Sequence, residues 1–198
     1  MYYIKIIFQS LLLLTLIACS SKVPVEKESE TDESKESSQS TKIELTVYTK
    51  ALIALNNNEL DKAQKLFTEM SKLQPDIAGS WANLALINVR KEQYDEAERL
   101  IKIALQKNPK MVQALNLSGS LEQQKGNIIE AKSLYKQALT YNPNYALANY
   151  NLALVYDIYL QDIPKAITHY QRYLVNIKGK DEKTTEWLQG LQATIGDE

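Results

Sequence analysis

One cysteine and one histidine among 198 residues remove whole classes of chemistry before any motif is sought. A lone thiol, Cys19, forms no internal disulfide and no cysteine metal cluster. A lone imidazole, His169, has no second histidine with which to hold a metal. Charge of one sign is missing too: 23 basic against 24 acidic residues, mixed along most of the chain, leave a formal net charge of -1 and no basic stripe for phosphates. Nucleic acid is therefore not an expected partner. With only 6 glycines and 5 prolines, little of the chain breaks a helix, and the plentiful Ala, Leu, Lys, Gln and Glu favour one. No apolar run reaches the roughly 20 residues of a membrane-spanning helix; Ile6 to Ala18 holds about 13, interrupted by Gln9, Ser10 and Thr15.

Catalytic patterns are equally scarce. There is no glycine-rich phosphate loop, no Ser/His/Asp arrangement and no H-E-x-x-H helix. His169, between Ala166 and Tyr170, reads as a surface or interhelix residue, and the carboxylates alternate with lysines at helical spacing, as from Glu96 to Lys102, which describes a solvated face. The expectation is a chain with no catalytic residue, no metal, no cofactor and no small-molecule substrate.

The apolar run after Lys5 has the length of a signal-peptide core, and it ends Leu16-Ile17-Ala18-Cys19-Ser20-Ser21. This ending resembles the bacterial lipobox, in which the cysteine is lipidated and becomes the new N-terminus. The resemblance implies a cleaved leader over 1–18 and lipid attachment at Cys19, where several acyl chains at about 0.8 kcal/mol per buried CH₂ give a stable anchor. A non-aspartate residue after the cysteine, here Ser20, resembles the outer-membrane sorting signal of Gram-negative lipoproteins, so the implied location is the cell envelope, on the outer membrane and facing the periplasm. Residues 19–43 then shift to Ser, Glu, Lys and Thr with no aromatic side chain. Such a segment buries too little to offset its ordering entropy and reads as a disordered tether, with a reach of about 25–30 Å.

From residue 44 onward the chain repeats. Pro75, Pro109 and Pro143 stand 34 apart, as do Ala63, Ala97 and Ala131, while Phe67, Ile101 and Tyr135 each follow the alanine by four. In the second copy Trp81, Leu84, Ala97, Ile101, Ala104 and Pro109 resemble the tetratricopeptide signature W-x₂-L-G…A-x₃-F…A…P. The resemblance implies an all-α fold: a right-handed superhelical solenoid of four helical hairpins at 44–77, 78–111, 112–145 and 146–180. Ala51, Ala85, Gly119 and Ala153 at position 8, with Ala63, Ala97, Ala131 and Ala166 at position 20, keep paired helices close. Gly126-Asn127 marks the inner turn of repeat three, where glycine tolerates unusual φ and asparagine can cap the next helix. Repeat four carries one inserted residue between Asp157 and Pro164, expected to lengthen its inner turn. Over 181–198, Trp187, Leu188, Leu191 and Ile195 share a helical face and read as a capping helix for the open end, followed by the tail.

Stacked hairpins present their first helices along one groove. In the family that groove is lined by positions 2, 5, 6, 9, 12 and 13. Carried over, these imply Tyr48 and Leu52 in repeat one, Asn83, Leu86 and Arg90 in repeat two, and Gln113, Asn116 and Ser120 in repeat three. Repeat four supplies Leu147, Tyr150, Asn151, Leu154 and Asp157. Asn83 and Asn151 could bond a bound peptide backbone or merely link neighbouring helices. The family variant that clamps chaperone C-termini needs Lys at position 5 and Asn at position 9; Tyr48, Leu52, Ala82 and Leu86 stand there instead, so that clamp is not expected. Seven of the twelve tyrosines fall between Tyr141 and Tyr173; Tyr135, Tyr156 and Tyr170 read as core, and Tyr145, Tyr150 and Tyr159 as contact candidates.

The functional expectation is a membrane-anchored, non-enzymatic scaffold that binds other proteins of the envelope. A short lipid-anchored repeat array resembles the pilotin and assembly lipoproteins of type IV pili and secretion systems. It also resembles adaptors that bring peptidoglycan hydrolases to the envelope. The competitor of a different class is an enzyme with its site in the repeats.

Overall fold

The structure, a computed structural model, describes residues 46–196, with side chains to 194. The leader, Cys19, the tether and residues 44–45 lie outside the described residues. So do the tail residues 197–198 and the side chain of Ile195.

All regular structure among the described residues is helical. α1 runs over 46–56, α2 over Leu60–Leu73, α3 over Ala78–Arg90, α4 over Tyr94–Lys107, α5 over Val112–Gln124 and α6 over Ile128–Tyr141. α7 (Ala146–Leu154) runs on into one π turn (Val155–Tyr159) before α8 (Ile163–Asn176) and α9 (Glu182–Gly196). Consecutive helices pack in sequence order, and the first helices of neighbouring repeats also touch, α3 on α5 and α5 on α7. Each packed pair is local in sequence, as a linear stack requires.

The small-residue columns sit where the helices cross. Ala51, Ala85 and Ala153, and all four of Ala63, Ala97, Ala131 and Ala166, have no exposed surface. Phe67, Ile101, Tyr135 and Tyr170 fill the space beside them and are buried. Burying such a side chain contributes about 1.5–3 kcal/mol, so this recurring position supplies much of the cohesion.

The turns repeat as faithfully as the core. Between repeats the chain passes Pro75, Pro109 or Pro143 and enters the next helix through an extended apolar residue, Ile77 (ψ 98°), Met111 (ψ 101°) or Tyr145 (ψ 103°). Asn108 and Asn142 brace two of these links by accepting the backbone N–H of Lys110 (3.0 Å) and Asn144 (3.1 Å). Within repeats the chain reverses through a left-handed residue: Asn58 (φ 59°), Glu92 (φ 59°), Gly126 (φ 83°) and Gln161 (φ 51°). Gly126 is as expected, but Asn127 does not cap α6; its amide donates to Glu122 Oε2 at 2.7 Å. Asp162 does cap α8, accepting the Lys165 N–H, with Pro164 in the first turn.

The inserted residue of repeat four does not lengthen the inner turn. Three residues separate helices in repeats two and four alike, 91–93 and 160–162, and the extra residue is absorbed in the π turn.

One buried side-chain group among the described residues is unsatisfied. Ser80 in α3 is fully buried and its hydroxyl finds no hydrogen-bond partner among the described residues, at a position where Ala114 and Ala148 stand in the next two repeats. Ser80→Ala is expected to stabilise the array by about 1 kcal/mol, measured by urea unfolding, because it removes an unpaired polar group from the core. A loss of stability would show that the hydroxyl is paired in solution.

Candidate functional site

The groove positions of the four first helices line up on one face, and the structure joins many of them to one another. Asn83 in α3 is buried; its Nδ2 donates to Tyr48 Oη of α1 at 3.2 Å and its Oδ1 accepts from Gln113 Nε2 of α5 at 3.0 Å. Asn151 Nδ2 of α7 donates to Asn116 Oδ1 of α5 at 3.0 Å. Arg90 donates to the Leu55 carbonyl at the end of α1, 3.1 Å away. These amides link neighbouring helices. Asn83 has both its amide oxygen and its amide nitrogen engaged, whereas half-buried Asn151 shows a bond at its nitrogen.

Several groove positions, bonded or not, keep some exposure. Leu52, Leu86, Gln113, Ser120, Tyr150, Asn151 and Leu154 are half-buried and Arg90 is exposed. The face changes character along its length. Repeat three presents Gln113, Asn116 and Ser120, all polar, while repeat four presents Leu147 (53% exposed), Tyr150, Leu154 and Ile158 (59% exposed) at helical spacing. Trp187, 55% exposed on α9, extends this apolar end. Sequence reasoning missed Ile158 and Trp187 as part of the groove. Ile158 stands at groove position 13, which signals it, whereas Trp187 reads from the sequence as part of the cap.

Asp157 departs most from the expectation of an open groove residue. It lies buried within the π turn, and its Oδ2 accepts from Tyr170 Oη (3.0 Å) and Trp187 Nε1 (2.7 Å). Burial and the Asp157 carboxylate together raise the Tyr170 phenol well above the ordinary tyrosine range. Beside it Tyr150 makes an edge contact with Tyr170 (centroids 6.1 Å) and a tilted one with Tyr173 (4.9 Å). Tyr135, Tyr156 and Tyr170 are core, as expected; Tyr159 is exposed and Tyr145 half-buried.

α9 covers the last hairpin. Asp181 caps it by accepting Thr184 N–H at 3.1 Å, and this bond is the main reason the Asp181 carboxyl is held below its usual range. Its inner face is Thr184, Leu188 and Leu191, packed against the Tyr170 and Leu174 side of α8, and Trp187 sits at the rim rather than in the core. No described helix is long and apolar enough to cross a membrane.

His169 is an interhelix residue. Its ring stacks on Tyr156 (centroids 5.7 Å, 13° between planes) and its Nδ1 lies 3.0 Å from Asn149 Oδ1. Asn149 spends its N–H groups on the Pro143 and Tyr145 carbonyls, so Oδ1 must accept and the neutral ring carries its proton on Nδ1. Burial first, then the charges of Arg172 and Lys136, lower its pKa from 6.5 to about 4. The sign follows: between 6.5 and about 4 the unfolded chain takes up a proton that the folded chain refuses, so stability is full above this window and is lost as pH falls through it. The single histidine resonance should stay constant from about pH 8 to 5 and move only near pH 4 by NMR. A midpoint at 6.5 would show a solvated ring.

Comparison with known proteins agrees with this architecture. The tetratricopeptide repeat family matches residues 48–112, 84–131 and 116–181. The uncharacterized protein ycf37 of Cyanophora paradoxa is 32% identical over 140 residues, which span 63% of this chain and 78% of that protein. Among solved structures, pilF of Pseudomonas aeruginosa superimposes with a TM-score of 0.67 at 16% identity, covering 79% of this chain and 71% of its own. The first tetratricopeptide domain of Spaghetti (RPAP3), bound to the HSP90 peptide SRMEEVD, gives a TM-score of 0.52 at 21% identity over 58% of this chain and 90% of its own. These two likenesses are ones of fold. The repeat period, the paired helices and the sequence match together place this chain in the tetratricopeptide repeat family.

Proposed function

We propose that the chain is a protein-binding adaptor of the bacterial cell envelope, held to a membrane by lipid on Cys19, whose first-helix groove receives a segment of a partner protein during pilus or secretion-system assembly. The observation that carries the binding reading is the exposed apolar end of the groove, where Leu147, Ile158 and Trp187 are each more than half open to solvent beside the polar stretch of repeat three. Clustered aromatic and aliphatic surface rimmed by polar residues is what protein contacts are built on. The Spaghetti domain offers a fold precedent for peptide binding, and pilF a fold precedent that carries a pilus name. The lipid reading rests on the sequence ending at Cys19.

Both halves are tested in the cells that make the protein. A photo-crosslinker at Leu154 is expected to trap an envelope protein, and one at Tyr94, at the start of α4, is expected to trap none. Cys19→Ser should lose all acyl labelling and leave the membrane fraction, since no other thiol can carry the lipid. Crosslinks from Tyr94 alone would move the binding surface to the second helices. Acyl labelling that survives Cys19→Ser would remove the anchor.

A further inference from the structure

The C-terminal end of the groove contains a pocket of about 180 Å³ between α7 with its π turn and α9. Its walls include Tyr150, Leu154, Asp157, Tyr170, Thr184 and Trp187. Three of these are aromatic, and the one acid among them is Asp157. That carboxylate is 9% exposed and has no ion-pair partner among the described residues. Its two hydrogen bonds both fall on Oδ2, from neutral donors, and none from a described residue falls on Oδ1. Lys183 lies on the rim, and its charge acts on Asp181.

A negative charge in a cleft walled by π faces, with no described cation paired to it, is electrostatically incomplete. Neutral donors orient the carboxylate but do not neutralise it, and partial desolvation strengthens its attraction for a positive group. Aromatic faces add to the same preference, since the ring quadrupole attracts cations and most of all planar guanidinium. We propose that this pocket takes a basic side chain, arginine or lysine, of the partner segment, with its charge against Asp157 and its aliphatic stem along Tyr150 and Trp187. Apolar residues beside it in the partner lie along Leu147, Leu154 and Ile158. The inference rests on the groove reading above and adds the chemistry of what the groove selects.

The test uses purified full-length protein in detergent and a bead library of blocked hexapeptides, each pool fixed at one position. Pools fixed with Arg or Lys are expected to retain about tenfold more protein than those with citrulline, Gln or Glu. Asp157→Asn should abolish the preference, because its amide oxygen still accepts from Tyr170 and Trp187 while the charge is gone. A second measurement needs no variant: N-acetyl-arginine amide should shift the Trp187 indole N–H resonance and not that of Trp81, which donates to the Pro75 carbonyl in repeat two, while N-acetyl-citrulline amide should shift neither. Equal retention of basic and neutral pools overturns the basic subsite and leaves the groove reading standing. A basic preference that survives in folded Asp157→Asn places the selecting charge elsewhere and likewise overturns it. Retention of no pool, with no indole shift, overturns the subsite, and the groove reading then stands or falls on the Leu154 crosslink.

Discussion

Gly119→Val is expected to lower the unfolding free energy of the array by about 3 kcal/mol, read as an earlier urea midpoint. A Cβ at residue 119 would lie 2.6 Å from Tyr135 Cε1, 2.8 Å from Cδ1 and 3.1 Å from Cζ. The ring has little room to withdraw, being buried at 1% exposure with its hydroxyl donating to Gln123 Oε1 at 2.9 Å. Repeat two solves the same crossing with Ala85 against Ile101, so each repeat matches a small residue to the bulk opposite it. Gly119→Ala tests this pairing more finely, because alanine's helix propensity favours it by about 1 kcal/mol while the contact opposes it. Adding Tyr135→Ile should then restore stability in a double-mutant cycle, with a coupling of at least about 1 kcal/mol. A Val variant as stable as the parent would mean that α5 and α6 cross elsewhere.

Leu188→Asp is expected to detach α9 altogether. Leu188 is buried against α8 in the cluster that contains Tyr170 and Leu174, and a carboxylate there loses about 2–3 kcal/mol of apolar burial and adds the desolvation of an unpaired charge. The damage should stay local, because α9 packs chiefly on α8 and a linear stack transmits little beyond its neighbour. Hydrogen exchange should show α9 amides fully unprotected with α3 to α6 little changed. The uncovered Tyr170 and Leu174 surface should promote self-association, visible by light scattering. Equal loss of protection throughout would instead make the array one cooperative unit.

The repeat frame was legible in the sequence because it rests on steric columns that tolerate few substitutes. α3, α5 and α7 begin at Ala78, Val112 and Ala146, the first residues of repeats two and three and of repeat four. The site was legible only in outline. Position numbers placed Tyr48, Asn83 and Asn151 on one face, but whether an amide meets a ligand or a neighbour depends on interhelix spacing that no single repeat encodes. Asn83 found Tyr48 and Gln113; Asn151 found Asn116. Ser80 looks like any small residue until the hairpins close around it.

The π turn of repeat four is a matter of angular phase. Each α-helical residue advances the chain by about 100°, so one extra residue inside α7 would rotate everything beyond it out of step with the stack. The wide turn at Val155–Tyr159 dissipates that rotation within a single winding. Tyr150 and Leu154 upstream keep the bearing of Asn116 and Ser120, and Ala166 downstream regains that of Ala131. Asp157, inside the winding, still accepts from the Tyr170 hydroxyl as Gln123 in repeat three accepts from that of Tyr135. The aim of this position therefore survives a change of one residue in chain length, because the winding takes up the excess beyond it before the chain reverses into α8.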